Sequence, residues 1–255
     1  MQGCGMSESV GRARRALATV GLNGYETRSV LELSGGERQR VALARTIACS
    51  PRLFLLDEPF GSLDRALRER LLVDVRDILK GINATCIFVT HDQSEAYAVS
   101  DLTVVMFEGR IVQVDPPRIL YRSPASSRVA RFLGLTNLLE GRVTGDSLIE
   151  TDIGAFSPAV PVRGGRKLVT VLVQPDAARV VDDACSRPPG PPSGRLVVRG
   201  IVRTCLYRGS HFSVAVETPR GVRLSFDLPD TGGEIPVGQR VSLAVDTSGL
   251  RVLEG

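Results

Sequence analysis

Three short apolar runs constrain this chain more than any other feature: Leu53 to Leu56 closed by Asp57, Ile87 to Thr90 ending in His91, and Leu102 to Phe107. None alternates with polar residues, which is the pattern of a strand buried on both faces. Between them lie helical stretches, one with Leu67, Leu71, Val75 and Ile78 on one face and Gly81 as its stop, the other from Gln93 to Ser100. Strand, helix, strand, helix, strand calls for parallel pairing through crossovers, an α/β architecture. Upstream, Ser9 is placed to cap a helix whose face is Val10, Ala13, Leu17 and Val20, with Gly21 as a left-handed stop and Asn23-Gly24 as a turn. The pattern S-x-x-E at Ser34-Gly35-Gly36-Glu37 is a capping box, so a second helix starts there and ends before Pro51. Past the third strand, Glu108-Gly109 predicts a tight hairpin into Ile111 to Val114, and two short helical pieces around Ile119 and Arg131 run to Gly134.

The texture then changes. From Gly141 onward short alternating strands are predicted at Leu168 to Val173, Leu196 to Leu206, His211 to Glu217, Val222 to Asp227 and Arg240 to Val245, the pattern of a small all-β barrel, with Ser186 to Gly194 as an extended proline-rich loop. The expected division is therefore residues 1–134 and 135–255. Basic and acidic groups number 18 and 15 in the first part and 14 and 13 in the second, so no basic face is concentrated anywhere and a nucleic-acid partner is not expected. No uninterrupted apolar run exceeds four residues and the N-terminus lacks an apolar leader core, which argues against a membrane span or a signal peptide. Five cysteines, none at metal-ligand spacing, read as reduced thiols.

Chemistry concentrates at the ends of the apolar runs. Two glycines follow Ser34 at a helix N-terminus, where bare amides and the helix dipole can meet an anion, although a capped helix alone also accounts for them. Asp57 and Glu58 stand where α/β sheets place their ligands, at the C-terminal end of a strand. One carboxylate there can hold Mg²⁺, directly or through water, while the next orients an attacking water. Thr90-His91-Asp92 ends a second strand and can reach the same γ-phosphate. Each element alone is weak; the three in this order and spacing are not.

At these residues the sequence resembles the ATP-binding subunit of an importer-type ABC transporter. LSGGERQR at residues 33–40 matches the signature, LFLLDEP at 53–59 the Walker B motif, Gly61-Ser62-Leu63-Asp64 the D-loop, and Val89-Thr90-His91-Asp92 the switch histidine. The likeness continues through Ser123 to Ser126, Phe132 to Gly134 and Asn137 to Gly141 into a β domain like TOBE, with Gln174-Pro175 where many relatives have Arg-Pro. It implies a partial P-loop NTPase, a RecA-like ABC ATPase lobe with its helical subdomain, followed by a small OB-like TOBE barrel. ATP and Mg²⁺ are implied: Asp57 would serve the metal, Glu58 would polarise the lytic water and His91 would sense the γ-phosphate. Ser34, Gly35 and Gly36 would close in trans on the ATP of a second ATP-binding subunit, with Glu37, Gln39 and Asp64 among the nucleotide-binding positions. The implied partners are membrane-spanning permease subunits, and indirectly a solute-binding protein, at the cytoplasmic face of the membrane. The Asn137 to Gly141 junction and Tyr207-Arg208-Gly209 look most like polyamine or ferric-iron importers, while sulfate, sugar, thiamine and phosphonate importers share the architecture.

No G-x-x-x-x-G-K-[ST] occurs in the 255 residues, and Lys80 and Lys167 cannot replace its lysine. The expectation is a chain truncated at its N-terminus, inactive in isolation. Three readings stay open: the C-terminal portion of a working ATPase, a natural partner of a P-loop-bearing chain, and a non-catalytic remnant. A small-ligand or oxyanion-binding module built on the β domain is a fourth. The resemblance also places a P-loop strand between the runs ending at His91 and Phe107, so Phe88 and Val105 are expected to be exposed without it.

Overall fold

The computed structural model describes residues 5–61, 64–144, 148–158, 167–181, 194–230 and 233–253. Ser62 and Leu63 of the D-loop, Cys4 and Cys185, and nearly all of the proline-rich loop lie outside them. The chain forms two compact units, Met1–Thr103 and Val104–Gly255.

In the first unit α1 (Met6–Thr19) starts ahead of Ser9, whose amide already donates to the Gly5 carbonyl. Glu8 in its first turn suits the helix dipole and pairs with Arg12, which offsets the missing side-chain cap. Its covered face is Ala16, Leu17 and Val20, whereas Val10 and Ala13 are exposed. Gly21 takes the left-handed conformation, φ 72°. α2 (Gly35–Ala48) opens on the predicted capping box, in which the Glu37 amide donates to the Ser34 hydroxyl and the Ser34 amide to the Glu37 carboxylate. β1 (Leu53–Asp57) leads to α3 (Arg65–Gly81), capped by Asp64, whose carboxylate accepts from the Leu67 amide. The left-handed residue after α3 is Asn83, φ 49°, and not Gly81, because an asparagine tolerates that region and the helix runs through the glycine. β2 (Thr85–Val89) pairs in parallel with β1, and α4 (Gln93–Val99) follows.

β3 (Thr103–Phe107) pairs with β4 (Arg110–Asp115) in the predicted hairpin, and among the described residues no ladder joins β3 to β2, where the resemblance puts a further strand. Glu108 and Gly109, both at positive φ, close that hairpin over two residues, the least costly pairing open to β3. The parallel pair is covered on one face only. Phe54, Leu56, Cys86 and Phe88 pack with Phe60 and the α3 residues Leu71, Leu72, Val75 and Leu79, while Leu53, Leu55, Ile87 and Val89 face outward, Leu55 at 68% exposure. The exposure expected at Phe88 and Val105 is thus corrected. Phe88 lies against the Phe60 ring, 5.8 Å between centroids, and Val105 is 3% exposed. An unalternating run does not say which face is covered, and here the side chains at alternate positions from those two are the exposed ones.

Among the described residues of the second unit, α5 (Pro117–Arg122) and α6 (Ser127–Phe132) precede ten strands. β5 (Leu138–Thr144), β6 (Leu148–Thr151), β7 (Gly154–Phe156), β8 (Leu168–Val173) and β14 (Leu250–Leu253) form one antiparallel sheet, in the order β14-β8-β5-β6-β7. β9 (Ala178–Val181), β10 (Arg195–Tyr207), β11 (His211–Glu217), β12 (Arg223–Pro229) and β13 (Arg240–Asp246) form the other, in the order β12-β11-β10-β13-β9. Their inner faces share one core built on Ile149, Val171, Val202, Val214, Phe226 and Leu243. The end strands β12 and β9 approach each other, so the second sheet curls towards closure. A Cβ on Gly200 would meet the Glu217 carbonyl at 2.5 Å, which is why the long strand β10 carries glycine where it crosses β11.

Candidate functional site

The ends of β1 and β2 bring Glu58 and His91 together. The Glu58 amide donates to the Val89 carbonyl at 2.9 Å, which seats the residue after β1 beside the end of β2. Its backbone takes φ 45°, a region that disfavours a residue with a side chain, and such strain concentrates at functional positions. One carboxylate oxygen, Oε1, accepts from the His91 amide at 3.0 Å and lies 2.7 Å from the ring Nδ1. That contact first, and the Glu58 charge second, raise the His91 pKa above its usual 6.5. Among the described residues no hydrogen bond reaches the other oxygen, Oε2, which leaves an acceptor open to a water.

Asp57 is exposed, and among the described residues no hydrogen bond or ion pair engages its carboxylate. A single free carboxylate suits Mg²⁺, a hard cation that keeps several waters and takes substrate phosphate oxygens in preference to an all-protein cage. No group of three or more His, Cys, Asp or Glu side chains that could hold a metal occurs among the described residues.

The predicted signature residues divide by role. Ser34 and Glu37 form the capping box, and the Glu37 carboxylate also accepts from the Tyr25 hydroxyl at 2.7 Å. The Tyr25 bond, then the Ser34 amide, lower the Glu37 pKa to about 2. The Arg28 guanidinium lies over the Tyr25 ring, 4.1 Å from its centroid. Gly36 is buried where α2 meets α3, and a Cβ there would lie 3.1 Å from Leu67. Gln39 donates to the Pro59 carbonyl at 2.5 Å, which ties α2 to the loop after Glu58. Asp64 caps α3. No hydrogen bond or ion pair among the described residues joins the Ser34–Glu37 group to the Glu58–His91 pair.

Sequence reasoning missed Tyr25, Arg68 and Glu95. Their positions carry no motif of their own, and Glu95 reads as an ordinary acidic residue in the first turn of a helix. In the second unit, a groove of about 390 Å³ is lined in part by Arg122, Arg179, Arg195, Asp176 and Asp246.

Comparisons with known proteins show which family the chain resembles. The ABC transporter family model matches residues 5–61 and the TOBE domain model residues 171–253, which define an ABC-type protein with a C-terminal TOBE domain. Across its whole length the chain is 39% identical to a Fe(3+) ions import ATP-binding protein FbpC of Streptomyces avermitilis, covering 70% of it. The corresponding Escherichia coli O157:H7 protein is 36% identical over 99% of this chain and 69% of its own length. A spermidine/putrescine import ATP-binding protein PotA of Onion yellows phytoplasma is 31% identical over 93% of this chain and 54% of its own. The chain belongs to the ATP-binding subunits of importer-type ABC transporters that carry a TOBE domain.

Proposed function

We propose that the chain supplies the hydrolytic half of an ATP site that energises solute uptake, docked on permease subunits at the cytoplasmic face of the membrane. The observation that carries this is the Glu58–His91 contact beside the free Asp57 carboxylate. Phosphoryl transfer to water needs positioning and charge stabilisation more than covalent chemistry. In this reading Glu58 accepts a proton from the attacking water through Oε2 while His91 holds Oε1 and faces the γ-phosphate. Asp57 would hold Mg²⁺, which when bound neutralises the phosphate oxygens. The α2 N-terminus faces the nucleotide of a second subunit with the Ser34 hydroxyl and the Gly35 and Gly36 amides, while the Ser34 amide stays on Glu37, which, held by Tyr25, keeps that turn in shape. The relatives named for iron and polyamine import make those two cargoes the first to assay.

The 255 residues contain no phosphate-cradling G-x-x-x-x-G-K-[ST] loop, so the β- and γ-phosphates have to be positioned by another segment. The test is reconstitution. The purified chain alone is expected to show no tight Mg-ATP binding and no turnover, and a supplied segment bearing a P-loop is expected to restore turnover. Glu58→Gln should then abolish it, because an amide cannot take the proton. Steady hydrolysis by the chain alone that Glu58→Gln leaves unchanged would overturn the assignment of Glu58.

A further inference from the structure

Glu95 is a carboxylate at 2% exposure on α4, and burying a charge is costly unless partners compensate it. Its partners come from the residue before His91 and from α3. The Thr90 hydroxyl donates to one Glu95 oxygen at 2.7 Å, and the Arg68 guanidinium of α3 lies 3.5 Å from the other. Arg68 also reaches Asp92 at 3.3 Å, and the Asp92 amide donates to the Thr90 hydroxyl at 3.0 Å. Asp92 in turn caps α4 by accepting from the Ser94 and Glu95 amides. The residues immediately before and after His91 are thus both held in one network whose cation stands one turn beyond Asp64, the cap of α3.

We propose that Arg68 is a positioning residue: by holding Asp92 and Glu95 together it fixes the turn that presents His91 to Glu58, and so ties the start of α3 to that pair. Among the described residues His91 bonds to Glu58 and not to Arg68, so Arg68 acts through the backbone of the turn. A well-packed apolar residue at position 95 would fill the space as well; it would not link α3 to Thr90. The inference rests on the reading of Glu58 and His91 as the hydrolytic pair. Its test reads geometry and not hydrolysis, so either can fail while the other stands.

The experiment is amide hydrogen exchange by NMR on the nucleotide-free chain, comparing the His91 amide, which depends on Glu58 Oε1, with the amides of β2 and α3. Arg68→Ala is expected to speed exchange at His91 by about tenfold, the loss of roughly one charge-assisted hydrogen bond, and to leave β2 unchanged. Arg68→Lys should fall between, since one ammonium can meet Asp92 or Glu95 but not both with a planar fork. Adding Glu95→Gln to Arg68→Ala should add little, because the two act as a unit. If Arg68→Ala does not fold, Arg68→Lys carries the test on the same amides. Unchanged exchange at His91, or an equal rise at His91, β2 and α3, would overturn the proposal, the latter showing plain loosening of the unit.

Discussion

Replacing Asn137 by alanine removes a strand's edge cover without touching a strand. Asn137 is 2% exposed, and its side-chain amide donates to the Ser225 carbonyl at 2.6 Å while its oxygen accepts from the Ser225 amide at 2.7 Å. β12 is an end strand of its sheet, so this amide stands in for the neighbouring strand that Ser225 lacks. Two net hydrogen bonds at about 1 kcal/mol each, plus part of the desolvation cost of leaving both Ser225 groups unpaired, give about 2–4 kcal/mol. For a unit of this size that corresponds to a fall in melting temperature of roughly 5–15 °C. Thermal and urea unfolding of the Asn137→Ala chain, followed through the β-sheet signal, measure it, and exchange at the Ser225 amide should rise well before that of Leu243 in the middle of the core. Asn137→Asp should cost at least as much at neutral pH, because the carboxylate keeps the acceptor but faces the Ser225 carbonyl with no donor. A loss below about 0.5 kcal/mol for Asn137→Ala would refute the reasoning, since that is the range of surface substitutions away from any such contact.

Two further outcomes follow from the first unit. The Glu37 carboxyl lies below its unfolded value of 4.5, so its contribution is complete above that value and is lost as pH falls through about 2. Tyr25→Phe removes the largest cause, and carboxyl ¹³C titration should show the Glu37 pKa rising towards the ordinary range, with acid loosening of the α2 N-terminus beginning at higher pH. Phe54→Ala should destabilise the unit by about 3–5 kcal/mol and Leu55→Gln by no more than about 0.5, although the two are adjacent in β1. Equal losses in denaturant unfolding would show that both faces of β1 are covered.

The element types were legible because they rest on local chemistry. The capping box at Ser34 and Glu37, the left-handed Gly21, the Glu108-Gly109 hairpin and the strand His211–Glu217 depend on residues within a few positions of each other, and the structure has them where the sequence put them. The motif residues at the ends of β1 and β2 were legible for a related reason: a strand end followed by carboxylates or histidine is written contiguously. β9 and β14 escaped notice because four residues are too few to show a period, and their pairing with β13 and β8 is a long-range event. Which face of Leu53–Asp57 is covered depended on what else packs nearby, and no local pattern encodes that. The same holds for Arg68, Glu95 and Tyr25. Each looks like an ordinary surface or first-turn residue until the fold places an ion-pair or hydrogen-bond partner from a distant segment beside it, and only that placement makes a buried carboxylate at Glu95 tolerable and a strongly acidic one at Glu37 possible.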